Sequence, residues 1–443
     1  MLPLRTLAEP VAPAGLRARH VAPGPGTAGT GTAEDPFRGL AAAQAAAEPG
    51  DLFLLRPGTY AGRVRLTRHG EPGRPIVYRA AGDGAVMLDG LDGDVVVDAQ
   101  NARHVWLEGL VLRNARQLVL ASGAQGLVVR RATFEVSRDG LIARDGAEST
   151  RGLLVLDSVF RGPATWPRRA LEGINAITLT GSGHVVAHNR FTGFADAVHG
   201  SEQGRLSASD IHDNDIDVCT DDGIETDYSE TNVRVFRNRI TNCFAGVSFQ
   251  PVYGGPVYAF RNAIYNLQHS PFKLHNDTSG ILLLHNTSVR SGVPFNIDPQ
   301  GDVVGDVITR NNLFLGGGNE ALSTTGRMTR CDFDADGYGW RERNFATWMR
   351  HTYRTPGEAR AVMYRHHGAR SVGMTGHFVG GAGVPGDFRL QAAPPDLRLR
   401  SGSSAVDRGV PLPNVSDGHA GRAPDLGCCE AGQALPAYGP RPR

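Results

Sequence analysis

Lysine occurs once in this chain of 443 residues, at position 273, and all the other residues among its 46 lysines and arginines are arginines. An arginine side chain stays protonated at physiological pH, whereas a lysine amine loses its proton when its surroundings lower its pKa. Lys273 follows an acidic segment, residues 213–227, which contains seven carboxylates. A potential base downstream of a carboxylate cluster indicates a catalytic site. A leftover surface lysine is the alternative interpretation.

The acidic segment places four carboxylates within seven residues: Asp221, Asp222, Glu225 and Asp227. Crowded like charges raise one another's pKa unless a cation neutralises them, and hard oxygen ligands of this kind favour Ca²⁺. We therefore expect a calcium ion held by these four residues, with solvated turn acids or direct acid/base use as alternatives. A second segment, residues 332–338, resembles the start of an EF-hand loop. Its twelfth position is Arg343, where a bidentate glutamate is required, so we interpret it as a structural loop.

Composition restricts the classes of partner. The 46 basic and 45 acidic residues give a net charge of +1, so no overall field favours nucleic acid, and any anionic ligand must be held by local charge. No run of about 18 apolar residues occurs, so we expect no membrane span.

The five cysteines fit neither a disulfide framework nor a zinc ribbon and are interpreted mostly as buried thiols. The N-terminus lacks the apolar core of a signal peptide. We expect an extracellular or periplasmic monomer if a leader is missing and a cytoplasmic one otherwise.

The elements that must position these residues are set by a repeat. Asparagines recur in a constant local setting at intervals of 25, 24, 24, 24 and 25 residues, at Asn189, Asn214, Asn238, Asn262, Asn286 and Asn311. Short alternating runs between them are typical of β-strands, and such a period indicates a solenoid. Asparagine tolerates the left-handed conformation of sharp turns, and its amides hydrogen-bond along a stack. The sequence predicts an all-β fold, a right-handed parallel β-helix.

The rest of the chain is expected to cap this solenoid. Residues 35–49 are expected to form a helix that covers the open apolar end, and Pro57-Gly-Thr-Tyr60 the first turn. The predicted divisions are a flexible tail at 1–30, the cap helix and first coil at 31–75, β-helix coils at 76–320, a partly helical insertion at 321–385, and an irregular C-terminal closure and tail at 386–443.

The cap helix, the Pro-Gly-Thr-Tyr turn, the asparagine ladder and the ending Ser401-Gly-Ser-Ser-Ala-Val-Asp407 with Ala423-Pro-Asp-Leu-Gly427 resemble the pectate-lyase-type right-handed parallel β-helix superfamily. That superfamily contains polysaccharide lyases, glycoside hydrolases and uronate epimerases. The resemblance covers roughly residues 30–430 and is specific for the fold, much less so for the reaction.

Counting residues from each ladder asparagine predicts which side chains share a face. The column five residues on, Phe194, Cys219, Cys243 and Leu267, is expected to be interior. The column eleven residues on places Glu225, Phe249 and Lys273 outward, about 4.8 Å apart from coil to coil. Thirteen residues on come Asp227 and His275, and Asp196 and His269 lie at the edge of the same face.

Phe249, Tyr228 and Tyr253 are expected to stack on sugar rings, and Asp196 to contact the substrate.

The leading hypothesis is a polysaccharide lyase acting on a uronic-acid polymer, with Lys273 as the base and His269 or His275 protonating the leaving oxygen. Asp221-Asp-Gly223 with Lys273 resembles the calcium-and-lysine arrangement of some β-helix pectate lyases. A glycoside hydrolase using Asp221, Asp222 and Glu225 is the second hypothesis. A uronate epimerase, from a weak motif at residues 296–302, and a non-catalytic carbohydrate-binding β-helix are the remaining alternatives.

Overall fold

The computed structural model describes residues 8–26, 28–144, 149–170, 173–297, 303–341, 343–364 and 366–442. Within these ranges the chain winds as a parallel β-helix, as predicted. Each coil contributes one strand to a first sheet and one or two strands to a second set of parallel strands. Arg190–Phe194 and Asp196–Gly200 both pair with the single strand Asp215–Glu225 of the next coil. No helix in the described ranges is long and apolar enough to cross a membrane.

The first sheet runs the length of the solenoid. Its strands are Phe37–Arg38, Arg17–Ala22, Asp51–Leu55, Ile76–Ala80, Val105–Glu108, Val128–Arg130, Leu154–Leu156, Val185–Ala187, Asp210–His212, Val233–Phe236, Tyr253–Phe260, Ser279–Leu284, Val303–Arg310, Arg327–Thr329 and Asp332–Phe333. All its pairings are parallel, because the chain returns to this sheet once in each coil.

The second set of strands carries the other faces of the coils. It comprises Gly58–Ala61, Val64–Arg65, Val86–Asp98, Val111–Leu120, Thr133–Glu135, Asp139–Ala143, Val159–Arg161, Asn175–Leu179, Arg190–Phe194, Asp196–Gly200, Asp215–Glu225, Arg239–Phe249, Ala263–Tyr265, Phe272–Leu274, Thr287–Arg290, Leu313–Gly316, Gly337–Gly339 and Arg370–Ser371. Two small sheets lie outside it, Gly181–Ser182 with Leu206–Ser207, and Phe295–Ile297, Leu322–Thr324, Ala346–Trp348 and His351–Tyr353.

Equivalent side chains of successive coils stack inside the solenoid. Phe134, Phe160 and Phe191 are fully buried, with ring centroids 4.2 and 4.9 Å apart. Cys219 and Cys243 are paired neighbours with no exposed surface, which confirms the predicted interior column. Stacked aromatic and aliphatic rows of this kind bury apolar surface continuously from coil to coil.

The asparagine ladder is present, with two differences from the prediction. The amide Oδ1 of Asn238 accepts from the backbone N–H and the side-chain Nδ2 of Asn214, at 3.1 and 2.9 Å. The same pattern continues to Asn312 rather than the predicted Asn311, and ends on Asp336. The left-handed conformation belongs to the residue before each ladder asparagine, with φ of 54° at Asp213. The prediction that the asparagines themselves adopt it is wrong, because their amides are buried and bonded along the stack.

Two boundaries of the predicted divisions need correction, at the N-terminal tail and at the end of the coils. Residues 1–30 are not all a loose tail, because Arg17–Ala22 pairs in parallel with Asp51–Leu55 and buries Val21. The coils continue beyond residue 320 to Gly337–Gly339, where an aspartate replaces the ladder asparagine and hides the period. The predicted helices are confirmed in shorter form, Gly39–Ala45 and Pro356–Met363.

The C-terminal segment lies along the side of the coils instead of closing their end. Asn242 and Asn266 of two successive coils donate hydrogen bonds from Nδ2 to the carbonyls of Ala392 and Leu390. Farther on, Arg441 forms an ion pair with Asp157, at 2.7 Å. The apolar side chains Leu397, Leu399 and Leu426 pack in one cluster with apolar residues of the coils, so the segment predicted as a closure, 386–443, covers their flank.

Candidate active site

Strand register brings the lone lysine and the acidic segment together. Glu225 pairs with Ser248, and Ser248 pairs with Lys273, so the three residues form one column on successive coils. The predicted alignment of Glu225 with Lys273, two coils apart, is thus confirmed. The residue between them is Ser248 rather than Phe249, because the register shifts by one residue between Cys219 and Asp222.

Phe249 is a core residue. It has no exposed surface, pairs with Leu274, and packs against Phe272 with ring centroids 6.3 Å apart. The prediction that Phe249 faces outward and stacks on a sugar is therefore wrong. The bulge in the preceding coil reverses the side to which residues 248 and 249 point, since side chains alternate along a strand.

The Lys273 amine contacts two carboxylates of the acidic segment. Its Nζ lies 2.7 Å from Oδ2 of Asp222 and 3.7 Å from Oδ1 of Asp221, and 11% of its side chain is exposed. Burial alone disfavours the ammonium ion, but the charges of Asp222 and Asp221 outweigh burial and raise the pKa of Lys273. Without a competing cation, the amine is held protonated, which differs from the lowered pKa expected of a base.

Asp196, Asp221 and Asp222 form a compact group of three carboxylates. One oxygen from each lies within 4.8 Å of the others, and the Asp222 backbone N–H donates to Oδ1 of Asp196 at 2.9 Å. Burial, followed by repulsion between the carboxylates, raises the pKa of Asp221; burial also raises the pKa of Asp222 well above its usual range. The Asp222 Oδ1 atom is buried and accepts no hydrogen bond from the described residues. This oxygen and its neighbours thus form a concentrated negative site.

A second group shares Asp196 with the first. Its members are Asp196, His199 and Glu225, and the His199 Nδ1 contacts the Glu225 carboxylate. Burial lowers the pKa of His199, but the hydrogen bond and charge of Asp196 outweigh it, so the net shift is upward. Burial and the charge of Asp196 raise the pKa of Glu225 well above its usual range. His199 was not predicted as a site residue, because counting from Asn189 placed it one column away from Glu225, whereas the pairing of Val198 with Ile224 puts it beside Glu225.

Asp227, the fourth predicted metal ligand, is engaged elsewhere. Its Oδ1 accepts hydrogen bonds from Ser248 Oγ and from the Gln250 backbone N–H, both at 2.7 Å. It belongs to neither of these two groups, nor to the third group of potential metal ligands in the described residues, His188, His212 and Asp213. Burial and the neighbouring Glu225 raise its pKa. Asp227 therefore supports the strand ends beside the site, and Asp196 takes the place in the carboxylate group that was predicted for Asp227.

An aromatic and a guanidinium line the edge of the carboxylate group. The ring of His269 stacks on Phe244 at 5.0 Å with an interplanar angle of 11°, and Arg168 lies 4.2 Å from the centroid of Phe244. Arg168 also approaches Asp221, at 3.7 Å. No role was predicted for Arg168 or Phe244, because contacts of a long loop leave no periodic signal.

The remaining predicted site residues lie beyond the ends of the site's strands or, in the case of Tyr253, at the start of a strand of the first sheet. His275 follows strand Phe272–Leu274 and is buried. Tyr228 is half-buried, and Tyr253 is 48% exposed with Arg205 4.0 Å from its ring centroid. Their predicted contacts with substrate and the catalytic role of His275 stay predictions.

The EF-hand-like segment is structural, as interpreted. Asp334 accepts from the backbone N–H groups of His366, His367 and Gly368. Asp336 ends the asparagine ladder, and Asp332 forms an ion pair with Arg310 at 2.7 Å. Carboxylates committed in this way are not arranged around a common ion. Part of the epimerase-like motif, residues 298–302, lies outside the described residues.

Solved structures with a similar backbone are found at low sequence identity. Pectate lyase Pel9A is 18% identical, with 94% of this chain and 98% of that chain covered and a TM-score of 0.49. A mannuronic-acid-specific family 6 polysaccharide lyase from human gut microbiota is 15% identical over 67% of this chain and 82% of that chain, with a TM-score of 0.45. A polygalacturonase from Erwinia carotovora is 11% identical over 78% and 100%, with a TM-score of 0.39.

The chain matches no protein-family model and no curated protein. Its own strand pairings form a parallel β-helix, as the asparagine ladder predicted. At these identities the similarity to the solved structures describes the fold alone.

Proposed function

We propose that this protein is a polysaccharide lyase that cleaves a uronic-acid-containing polysaccharide by β-elimination. Lys273 is the Brønsted base, and the carboxylate group of Asp196, Asp221 and Asp222, with Glu225 beside it, holds Ca²⁺. The observation that carries the proposal is the contact of the chain's one lysine with buried carboxylates, at 2.7 Å from Asp222.

The carboxylate group suits a hard divalent cation. Its three members supply only oxygen ligands, which Ca²⁺ prefers, and the Asp222 Oδ1 atom is buried without a hydrogen bond from the described residues. Burial raises the pKa of Asp222 well above its usual range, so the metal-free carboxylates are destabilised by their own charge. Bound Ca²⁺ would neutralise these carboxylates and polarise a uronate carboxylate, which acidifies the adjacent C5 proton.

Lys273 performs the proton transfer. Neutralising Asp221 and Asp222 removes the charges that raise its pKa, and burial then favours the neutral amine. The amine takes the C5 proton of the uronate, the C–H electron pair forms the C4–C5 double bond, and the C4–O glycosidic bond breaks. The oxygen of the departing sugar takes up a proton, and Lys273 later returns its own to solvent.

We assign delivery of that second proton to His269. Its ring lies flat against Phe244, which fixes its plane, and its Nδ1 lies 3.3 Å from Ser270 Oγ. Arg168, beside both Phe244 and Asp221, provides a planar guanidinium for a substrate carboxylate. His275 is more deeply buried and is the alternative proton donor.

Carboxyl separations disfavour an inverting glycoside hydrolase. Paired catalytic carboxyls lie about 5 to 5.5 Å apart in retaining enzymes and about 6.5 to 9.5 Å apart in inverting ones. Oxygens of Asp196, Asp221 and Asp222 lie within 4.8 Å of one another, which leaves no room for the water molecule of an inverting pair. Three carboxylates and a lysine so close together favour a shared cation over a single pair of acid and nucleophile.

A screen of acidic polysaccharides tests the proposal. β-Elimination forms an unsaturated uronate that absorbs in the near ultraviolet, and EDTA is expected to abolish the absorbance increase. New reducing ends without that absorbance would establish a hydrolase, and binding without turnover would establish a carbohydrate-binding protein. Either result would refute the proposed reaction.

Replacing Lys273 by arginine tests the base directly. Arginine keeps the charge and most of the volume but cannot release its proton, so we expect turnover to fall by about 10²- to 10⁴-fold. Substrate affinity and the circular dichroism spectrum are expected to stay close to wild type. A Lys273→Arg variant with wild-type turnover would remove lysine from the mechanism.

A further inference from the structure

A groove on the early coils carries an unbalanced cluster of arginines. Arg79, Glu108 and Arg130 end three neighbouring strands of the first sheet and stand side by side in register. Arg131 follows in the left-handed conformation, with φ of 52°. All four line one groove of about 720 Å³. The cluster shares no residue with the lysine site, which is built from residues 168–273.

One carboxylate serves three guanidinium groups there. Glu108 accepts from Arg79 at 2.6 Å, and its other oxygen lies 3.1 Å from Arg130 and 3.4 Å from Arg131. Glu108 is buried, whereas 39% of the Arg131 side chain is exposed. The four side chains together carry a net charge of +2. Arg130 also has a buried Nε that no described residue accepts from.

The groove is large enough for an oligosaccharide. Its volume of about 720 Å³ falls in the range of about 300 to 1,000 Å³ typical of ligand sites. Gly82 and Gly84 line the groove together with the arginines, and a side chain added at Gly82 would meet no atom within 4 Å. The backbone at Gly82 is therefore open to a ligand.

We propose that this groove is a second, non-catalytic site that binds the carboxylates of an acidic oligosaccharide. A guanidinium presents two parallel N–H groups that match a carboxylate, and the exposed Arg131 has donors to spare beyond its one contact with Glu108. The choice of a uronate chain as ligand rests on the proposed function; the anion preference rests on the arginines alone. A polymer held in this groove keeps the enzyme on its substrate between cleavage events.

Binding to the full-length chain tests the groove. Titration calorimetry would use the Lys273→Arg protein, which prevents cleavage, with tetragalacturonate and tetramannuronate as probes. We expect two sites for at least one probe, and Arg131→Asp to weaken one of them at least tenfold. Aspartate is compatible with the left-handed backbone, since Asp157 and Asp213 adopt it in later coils. Arg330→Asp is the matched control, because Arg330 is also exposed and left-handed, with φ of 53°.

The outcomes separate the groove from the proposed function. A single site unaffected by Arg131→Asp, or equal weakening by Arg330→Asp, would overturn the groove proposal whatever the enzyme does. Sodium sulfate displacing the probe at equal concentration would show a general oxyanion site and overturn the sugar assignment. Loss of one site in Arg131→Asp, with no polysaccharide cleaved by wild type, would support the groove and refute the lyase.

Discussion

Replacing Asp336 by asparagine is expected to stabilise the protein, and to do so more strongly as the pH rises. Asp336 ends the asparagine ladder, where its Oδ1 accepts from the backbone N–H and the Nδ2 of Asn312 at 2.8 and 2.7 Å. An asparagine Oδ1 accepts the same two bonds at Asn238 and Asn262. The carboxylate is fully buried, so its negative charge is a cost that an amide in the same place would not carry.

The magnitude follows from the pKa. Burial raises the pKa of Asp336 from 3.8 to about 7. Between these values the folded state holds a proton that the unfolded state releases, so stability is present below the unfolded pKa and is lost as pH rises toward the folded one. At 1.36 kcal/mol for each pKa unit, the loss is under about 1 kcal/mol near pH 4, about 2 near pH 5 and about 4 near pH 8. The variant should escape this loss.

Differential scanning calorimetry of both proteins across this pH range gives the test. At about 2.1 cal/mol/K for each residue, a chain of 443 residues unfolds with an entropy near 0.9 kcal/mol/K, so 4 kcal/mol corresponds to about 4 °C. We expect the melting temperature of Asp336→Asn to exceed wild type by about 4 °C near pH 8 and by under about 1 °C near pH 4. Asp306→Asn is the control, because Asp306 is exposed and paired with Arg330. A constant difference across pH, or a lower melting temperature near pH 8, would refute the reasoning.

Two further predictions concern the site. Calcium at about one hundred times its dissociation constant should stabilise wild type by about 2.7 kcal/mol, or about 3 °C in melting temperature. Asp222→Asn should lose this shift and Asp227→Asn keep it; equal shifts in both variants would place the ion elsewhere. Phe249→Ala should lower the free energy of unfolding by about 3 to 5 kcal/mol in chemical denaturation and leave the KM unchanged, because Phe249 packs on Phe272 in the core. A raised KM with unchanged stability would restore Phe249 to the substrate surface.

The fold was predictable because one interaction repeats. Each ladder asparagine uses its whole amide, so the same residue must return once in every coil, and the period becomes visible in the sequence. The prediction failed where the residue type changed. Asp336 accepts the same bonds from the coil before it. Because it is an aspartate, the asparagine repeat in the sequence ends one coil before the ladder does. Strand Arg17–Ala22 was not predicted, because it lies in a stretch whose composition is typical of a flexible tail, although its alternation matches a strand.

The site was predictable at the level of columns but not of single positions. Counting from the ladder placed Lys273 and Glu225 correctly, because the one-residue register shift after Cys219 is cancelled by an opposite shift in the next pair of coils. It placed Phe249 on the wrong face, because a bulge adds one residue between Cys219 and Asp222 and nothing in the local sequence marks it. Arg168 was beyond reach for another reason: it comes from a loop whose contacts with Phe244 depend on tertiary packing alone.

The identity of residue 273 connects the sequence bias to the chemistry. In a chain that otherwise uses arginine, a guanidinium at this position would form a two-point pair with Asp222 and remain charged under all physiological conditions. The lysine amine makes one short contact, at 2.7 Å, and its charge depends on a balance between burial, which disfavours the ammonium, and the Asp221 and Asp222 charges, which favour it. In the proposed mechanism, a cation bound to those same carboxylates would reverse the balance. The base would then be generated only when the cation that activates the substrate is also in place, and this coupling would require lysine.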